Sequence, residues 1–222
     1  MMFIEEESLY RKGNCNRFFS DSNSKWYSGH YCGNVKFTKK EIIIKPHFSK
    51  RSEHRVVQTY EPESLKKYKY SFKLSGDFSK DKTIILQFHD YWDVPNNVVA
   101  KKEYLYLATP PPVAFSVKED SLFVEHNEIK GEPFFDHKNE WLCIPDRQLS
   151  NSHVMKLKTE VWIDLDIEIF WSLKRKGYVK CNGKKIMDNI ITMFNKNPCN
   201  IQFGLYMGTS FESIKIRELT IC

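Results

Sequence analysis

The chain has 222 residues, with 34 Lys and Arg against 28 Asp and Glu for a formal charge of +6; 41% of residues are hydrophobic and 14% aromatic. So much aromatic surface beside only 9 Gly and 9 Pro excludes a disordered, collagenous or low-complexity protein, because such chains lack the apolar area that offsets ordering entropy. The length suits one all-β domain over residues 1–222, since sandwiches and barrels of roughly 200–250 residues are commonly single units.

No apolar run approaches the roughly 18 residues that span a bilayer; the longest patches, such as Thr83-Ile84-Ile85-Leu86, are strand-sized. The start turns acidic at Glu5-Glu6-Glu7 and shows neither the basic nor the apolar region of a secretory signal. The expectation is a chain that stays inside, leaves by another route or has been trimmed. Cys15, Cys32, Cys143, Cys181, Cys199 and Cys222 form no C-x-x-C pair and have no His at zinc spacing, so free or core thiols are expected. Lysines cluster, mostly where turns are expected, at Lys39-Lys40, Lys66-Lys67-Lys69, Lys101-Lys102, Lys174-Arg175-Lys176 and Lys184-Lys185. They are solvated turns or, together, a positive field for an acidic polymer. Neither a nucleic-acid nor a membrane partner is expected.

In chain order, period-2 alternation predicts a hairpin of Val35 to Thr38 with Glu41 to Lys45, then strands over Arg51 to Tyr60, Lys67 to Leu74 and Lys82 to Trp92. Val113 to Val117 and Leu122 to Glu125 flank a turn at Lys118 to Ser121. Trp162 to Ser172 is the longest alternating run, with Ile163, Leu165, Ile167, Ile169 and Trp171 on one face and Trp162, Asp164, Asp166, Glu168 and Phe170 on the other. Tyr178 to Cys181 and Lys184 to Met187 pair across Asn182-Gly183, where both residues tolerate φ > 0. Asn200 to Met207 and Ser213 to Ile221 complete the strands, and a weak helix signal covers Asp188 to Asn195. With no β-α-β alternation, the expected fold is all-β: a concanavalin-like β jelly roll of two stacked antiparallel sheets with a concave substrate groove.

Three segments place polar chemistry on single strand faces. Arg51, Glu53 and Arg55 alternate with Ser52 and His54; Gln87, His89 and Tyr91 alternate with Phe88; Gln202 and Tyr206 flank Gly204. Arginines for a carboxylate, an amide, an imidazole and a phenol are the parts that β-eliminate a uronic acid polymer. Neutralising the carboxylate acidifies the C5 proton, a base such as His removes it, and a Tyr hydroxyl protonates the leaving oxygen. The plain alternative for Arg51, Glu53 and Arg55 is a surface ladder of alternating charges.

The ordered set Arg-Ser-Glu-x-Arg, Gln-x-His and the late Gln-x-Gly-x-Tyr strand resembles the three motifs of jelly-roll polysaccharide lyases of the alginate lyase type. The text around it, including Tyr70 to Leu74, Pro111 to Phe115 and Phe170-Trp171-Ser172, resembles the heparin lyase and glucuronan lyase-like group. The match runs from about Arg51 to Ile221 and leaves the first fifty residues unassigned. The resemblance implies His89 as base, Tyr206 as acid, Gln87 with Arg51 or Arg55 on the carboxylate, and Gln202 in a subsite. Read from the residues themselves, Glu53 on the arginine strand and the rings of Tyr91 and Trp92, which could stack on sugars, are further substrate-binding candidates. Gln202 stands where the alginate lyase pattern has Lys, and His54 where it has Leu; His54 lies on the opposite strand face from the arginines. No cofactor or metal ligand is called for, although the resemblance leaves room for a structural calcium.

A rival constellation is Asp164, Asp166 and Glu168 on one strand face, which resembles the jelly-roll glucanases of the lichenase type, with Asp164 in place of the nucleophilic Glu. It would make the chain a glycoside hydrolase. A carbohydrate-binding jelly roll without catalysis is the third reading. The partner in the first is an acidic polysaccharide. Nothing in the sequence sets the oligomeric state, and a monomer is the expectation. Such a substrate lies outside the cytoplasm, which a virion- or phage-borne enzyme would reconcile with the missing export signal.

Overall fold

The computed structural model describes residues 16–18, 29–32, 34–38, 40–47, 51–57, 61–89, 91–93, 106–108, 111–130, 134–136, 141–143, 146–194, 200–207 and 211–221. Its first strands are β1 (Asn16–Phe18), β2 (Gly29–Cys32), β3 (Asn34–Phe37), β4 (Ile42–Lys45), β5 (Arg51–Val57) and β6 (Ser64–Gly76). Next come β7 (Thr83–His89), β8 (Tyr91–Asp93), β9 (Tyr106–Ala108), β10 (Val113–Lys118), β11 (Ser121–Lys130), β12 (Phe134–Asp136) and β13 (Trp141–Cys143). β14 (Asp146–Lys156), β15 (Ile163–Trp171), β16 (Gly177–Cys181), β17 (Lys184–Ile190), β18 (Asn200–Tyr206) and β19 (Phe211–Ile221) complete them.

They assemble into an eight-stranded sheet ordered β1-β2-β5-β18-β7-β10-β11-β14 and a seven-stranded sheet ordered β17-β16-β15-β6-β19-β4-β3, with β8-β9 and β12-β13 as separate pairs. Every pairing is antiparallel. The inner faces bury Phe88, Phe115, Ile201 and Phe203 from one sheet against Tyr68, Phe72, Ile169 and Trp171 from the other. This is the two-layer β jelly roll that the alternation implied.

Two polar groups reach partners within this core. Trp171 Nε1 donates to Tyr68 Oη at 3.0 Å, and Tyr70 of the seven-stranded sheet donates its hydroxyl to the Ile85 carbonyl of β7 at 3.1 Å. Burial, helped by the nearby Glu53 carboxylate, holds the Tyr70 phenol well above its ordinary value and keeps it a donor. The bond matters for function because β7 changes register at this point: Leu86 faces Phe115 but Ile84 faces Ser116, leaving Ile85 as a bulge.

The Asn182-Gly183 turn has φ of +49° and +77°, the primed geometry its sequence suggested. Several elements differ from expectation. Residues 188–190 extend β17 and 191–194 are not helical, while Asn195 lies outside the described residues. Thr192 pairs instead with the end of β15: its N–H donates to the Ser172 carbonyl at 3.0 Å and its hydroxyl to the Phe170 carbonyl at 2.8 Å. β14 was not anticipated. It is an edge strand with exposed residues on both faces, so it carries no alternation for a period-2 reading to find.

Candidate active site

The polar triples converge because three strands that are far apart in sequence are neighbours in space. β18 lies between β5 and β7, and its register fixes the rows: Gln202 opposite Arg55 and Gln87, Gly204 opposite Glu53, Tyr206 opposite Arg51 and Ile84, and Asn200 opposite His89. Directly opposed residues share a face. Since Phe203, Leu205, Leu86 and Phe88 fill the core, alternation sends Gln202, Tyr206, Gln87, His89 and Glu53 to the outer face of the eight-stranded sheet.

Gln87 is the hub. It is completely buried, and its amide nitrogen donates to Glu53 Oε1 at 2.5 Å and to Gln202 Oε1 at 3.4 Å. Its own carbonyl oxygen has no hydrogen-bond partner among the described residues. The Glu53 carboxylate, an acceptor only, fixes the direction of the amide, because the reverse orientation would set two acceptors against each other. Both amide hydrogens are thereby used inside the cluster. In this arrangement Gln87 presents no donor to a uronate carboxylate and instead positions Glu53 and Gln202, which are each only 4% exposed.

Gly204 makes this proximity attainable. Its φ is +145°, and a β-carbon there would fall on the Ser52 carbonyl oxygen and lie 2.8 Å from the Glu53 Cα. Only glycine lets β5 approach β18 so closely at this row.

The outer face is not uniform along its length. His89 is 8% exposed, and the row from Gln202 to Gln87 is closed; Tyr206 is half-buried and Met207 exposed. His89 and Tyr206 share the face but not a row. Tyr206 is opposite Ile84, five residues from His89 along β7, which is about 17 Å of strand at roughly 3.3 Å per residue. In the backbone register Arg51 pairs with Tyr206 and Arg55 with Gln202.

Other sequence-predicted residues lie elsewhere. Tyr91 does not continue the Gln87 and His89 face: Tyr91 and Trp92 belong to β8, which pairs with β9 outside the main sheets. The single strand expected over Lys82 to Trp92 is therefore two, with Asp90 outside the described residues. His54 points to the core as its parity required; it meets Phe203 edge-on at 5.3 Å between ring centroids, and burial pushes its pKa down to about 3. Among the described residues no group of three or more His, Cys, Asp or Glu could hold a metal ion. The Cys181 thiol is buried and free, with its pKa pushed up to about 12 by desolvation.

The hydrolase constellation is corrected. Asp164, Asp166 and Glu168 lie on β15 in the other sheet, on its solvent side. Arg217 grips both oxygens of Asp164 at 2.9 and 3.0 Å, and Ser71 donates to Oδ1 at 2.5 Å. Glu168 accepts from Lys180 at 2.8 Å and Tyr178 at 2.9 Å. Hydrogen bonds from Ser71 and Arg217 lower the Asp164 pKa, and the Lys180 bond lowers that of Glu168, whereas a general acid needs its carboxyl raised. Glu168→Gln and Asp164→Asn are expected to leave turnover of any polysaccharide unchanged and to cost about 1 kcal/mol or less of stability. Parallel rate and melting assays check both, and a lost activity would restore the hydrolase reading.

Two stacked antiparallel sheets, one with a polar outer floor built from the RSE, QxH and QxGxY strands, define the class of concanavalin-like jelly rolls. Within that class the chain belongs to the polysaccharide lyase family, whose model matches residues 5–219. No curated relative matches the chain. Among solved structures it is similar to the endo-β-1,4-glucuronan lyase of the fungus Trichoderma reesei, with a TM-score of 0.56 at 15% identity, covering 99% of this chain and 89% of that one. It is also similar to alginate lyase A1-II′ of polysaccharide lyase family 7, with a TM-score of 0.55 at 14% identity over 85% of this chain and 82% of that one. Alginate lyase AlyC3 matches with a TM-score of 0.51 at 16% identity over 82% and 74%. These likenesses are of fold, and the chain is a polysaccharide lyase.

Proposed function

We propose that this lyase cleaves a uronic-acid-containing acidic polysaccharide by β-elimination on the outer face of β5, β18 and β7. The observation that carries the reading is the row in which Tyr206 faces Arg51, beside the Gln87, Glu53 and Gln202 cluster. Arg51 and Arg55 neutralise the uronate carboxylate, which makes the C5 proton removable. His89 takes that proton, the electron pair forms the C4–C5 double bond, the C4–O bond breaks, and Tyr206 protonates the leaving oxygen. Gln87 acts here as a positioning residue, holding Glu53 and Gln202 so that the arginines have fixed neighbours. The similar enzymes support an acidic substrate: they are a glucuronan lyase and alginate lyases, and AlyC3 has been solved with dimannuronate.

The test is ultraviolet absorbance of the unsaturated uronate with polyglucuronate, alginate, heparin, heparan sulfate and hyaluronan. A rise with polyglucuronate or alginate is expected. Binding of a polymer with no absorbance rise on any of them would leave only a carbohydrate-binding jelly roll, and reducing ends released without absorbance would mean hydrolysis.

A further inference from the structure

The outer face of the eight-stranded sheet carries a second polar cluster that the reaction does not use. Glu125 of β11 is opposite Ala114 of β10, which is opposite Gln87, so Glu125 shares the face and lies two strands from the hub, roughly 9.6 Å away. It is an unusual residue to bury: its side chain is 4% exposed. Both oxygens are accounted for, Oε1 by the Ser116 hydroxyl at 2.6 Å and Oε2 by the Lys82 ammonium at 3.0 Å. Lys82, in contrast, keeps 28% of its side chain exposed. Glu125 is thus enclosed, while the lysine it anchors is partly open to solvent.

The position of the anchor gives it meaning. Ser116 is opposite Ile84, and Ile84 is opposite Tyr206, so the anchored ammonium borders the row of Tyr206, at the end of the face where Tyr206 and Met207 are not closed off. We infer that Lys82, held by Glu125 and Ser116, is an anion-binding subsite for a second carboxylate of the polyuronate, on a sugar next to the one that reacts. This rests on the proposed reading of the Tyr206 face.

Lys82→Met alone would strand a buried carboxylate, so the informative change is Lys82→Met with Glu125→Gln, which preserves the net charge of the protein and the long-range field. Calorimetric binding of hexaglucuronate is expected to weaken about tenfold in this double variant, as for one lost charge-assisted hydrogen bond, and to stay within about twofold in Lys82→Arg. Equal affinity in the double variant and the parent overturns the subsite. If the double variant does not fold, the Lys82 ammonium resonance of the unsubstituted protein decides: it shifts on addition of hexaglucuronate, or the proposal fails. Turnover measured alongside separates the two readings. Weakened binding in a protein without lyase activity would keep the subsite and remove the reaction, whereas intact turnover with unchanged affinity would do the reverse.

Discussion

Tyr206→Phe is expected to lower kcat on a uronate polymer by about 10²–10⁴-fold, the usual worth of a positioned general acid, while polymer affinity stays within about twofold. Removing one hydroxyl from a half-buried ring takes away the proton without altering the strand. His89→Ala is expected to fall by a similar factor, because the C5 proton then has no base. Measuring the two together is informative because about 17 Å of strand separates their rows, a distance the two side chains and a bound sugar must bridge between them. Full turnover in His89→Ala with none in Tyr206→Phe would place both proton transfers on the phenol. Full turnover in Tyr206→Phe would remove the proposed mechanism altogether.

Gly204→Ala is expected to destabilise the fold by about 3–5 kcal/mol, which for a chain of this size lowers Tm by roughly 10 °C. Two costs add. A φ of +145° is open to glycine and strained for alanine, by about 1–3 kcal/mol. The new β-carbon would also meet backbone, the Ser52 carbonyl oxygen and the Glu53 Cα, and backbone in a paired strand yields only by breaking the β5 to β18 ladder. Because Glu53 is the residue that yields, the Gln87 to Glu53 bond should be lost with it, so turnover falls further than stability alone requires. Thermal melting checks the first part; a Tm within about 2 °C of the parent would show that β5 moves aside freely.

The parity of β5 is an instructive case of what could be read beforehand. Arg51, Glu53 and Arg55 alternate with Ser52 and His54, and a strand has only two faces, so His54 had to oppose the arginines; the core contact with Phe203 follows. The same period-2 logic found β15 and the hairpin at Asn182-Gly183, where the chemistry of the turn is local. It failed at β14, whose two wet faces carry no pattern, and at Thr192, whose backbone is satisfied by a strand end twenty residues earlier.

What the sequence by itself determined is therefore the layer architecture, the shared face of Gln87 and His89 and the family to which the chain belongs, because hydrophobic alternation and short ordered motifs are properties of neighbouring residues. Which triples meet, and in which row, was decided by tertiary pairing. Register is set by the bulge at Ile85, by the Tyr70 bond that reaches it across the core, and by the room a glycine leaves at residue 204. Those are contacts between residues far apart in the chain. They brought Gln87 to Glu53 instead of to solvent, separated Tyr91 from His89, tied Asp164 to Arg217, and set the buried Glu125 beneath Lys82, since burial of a charge is worth its desolvation only where the fold supplies a partner.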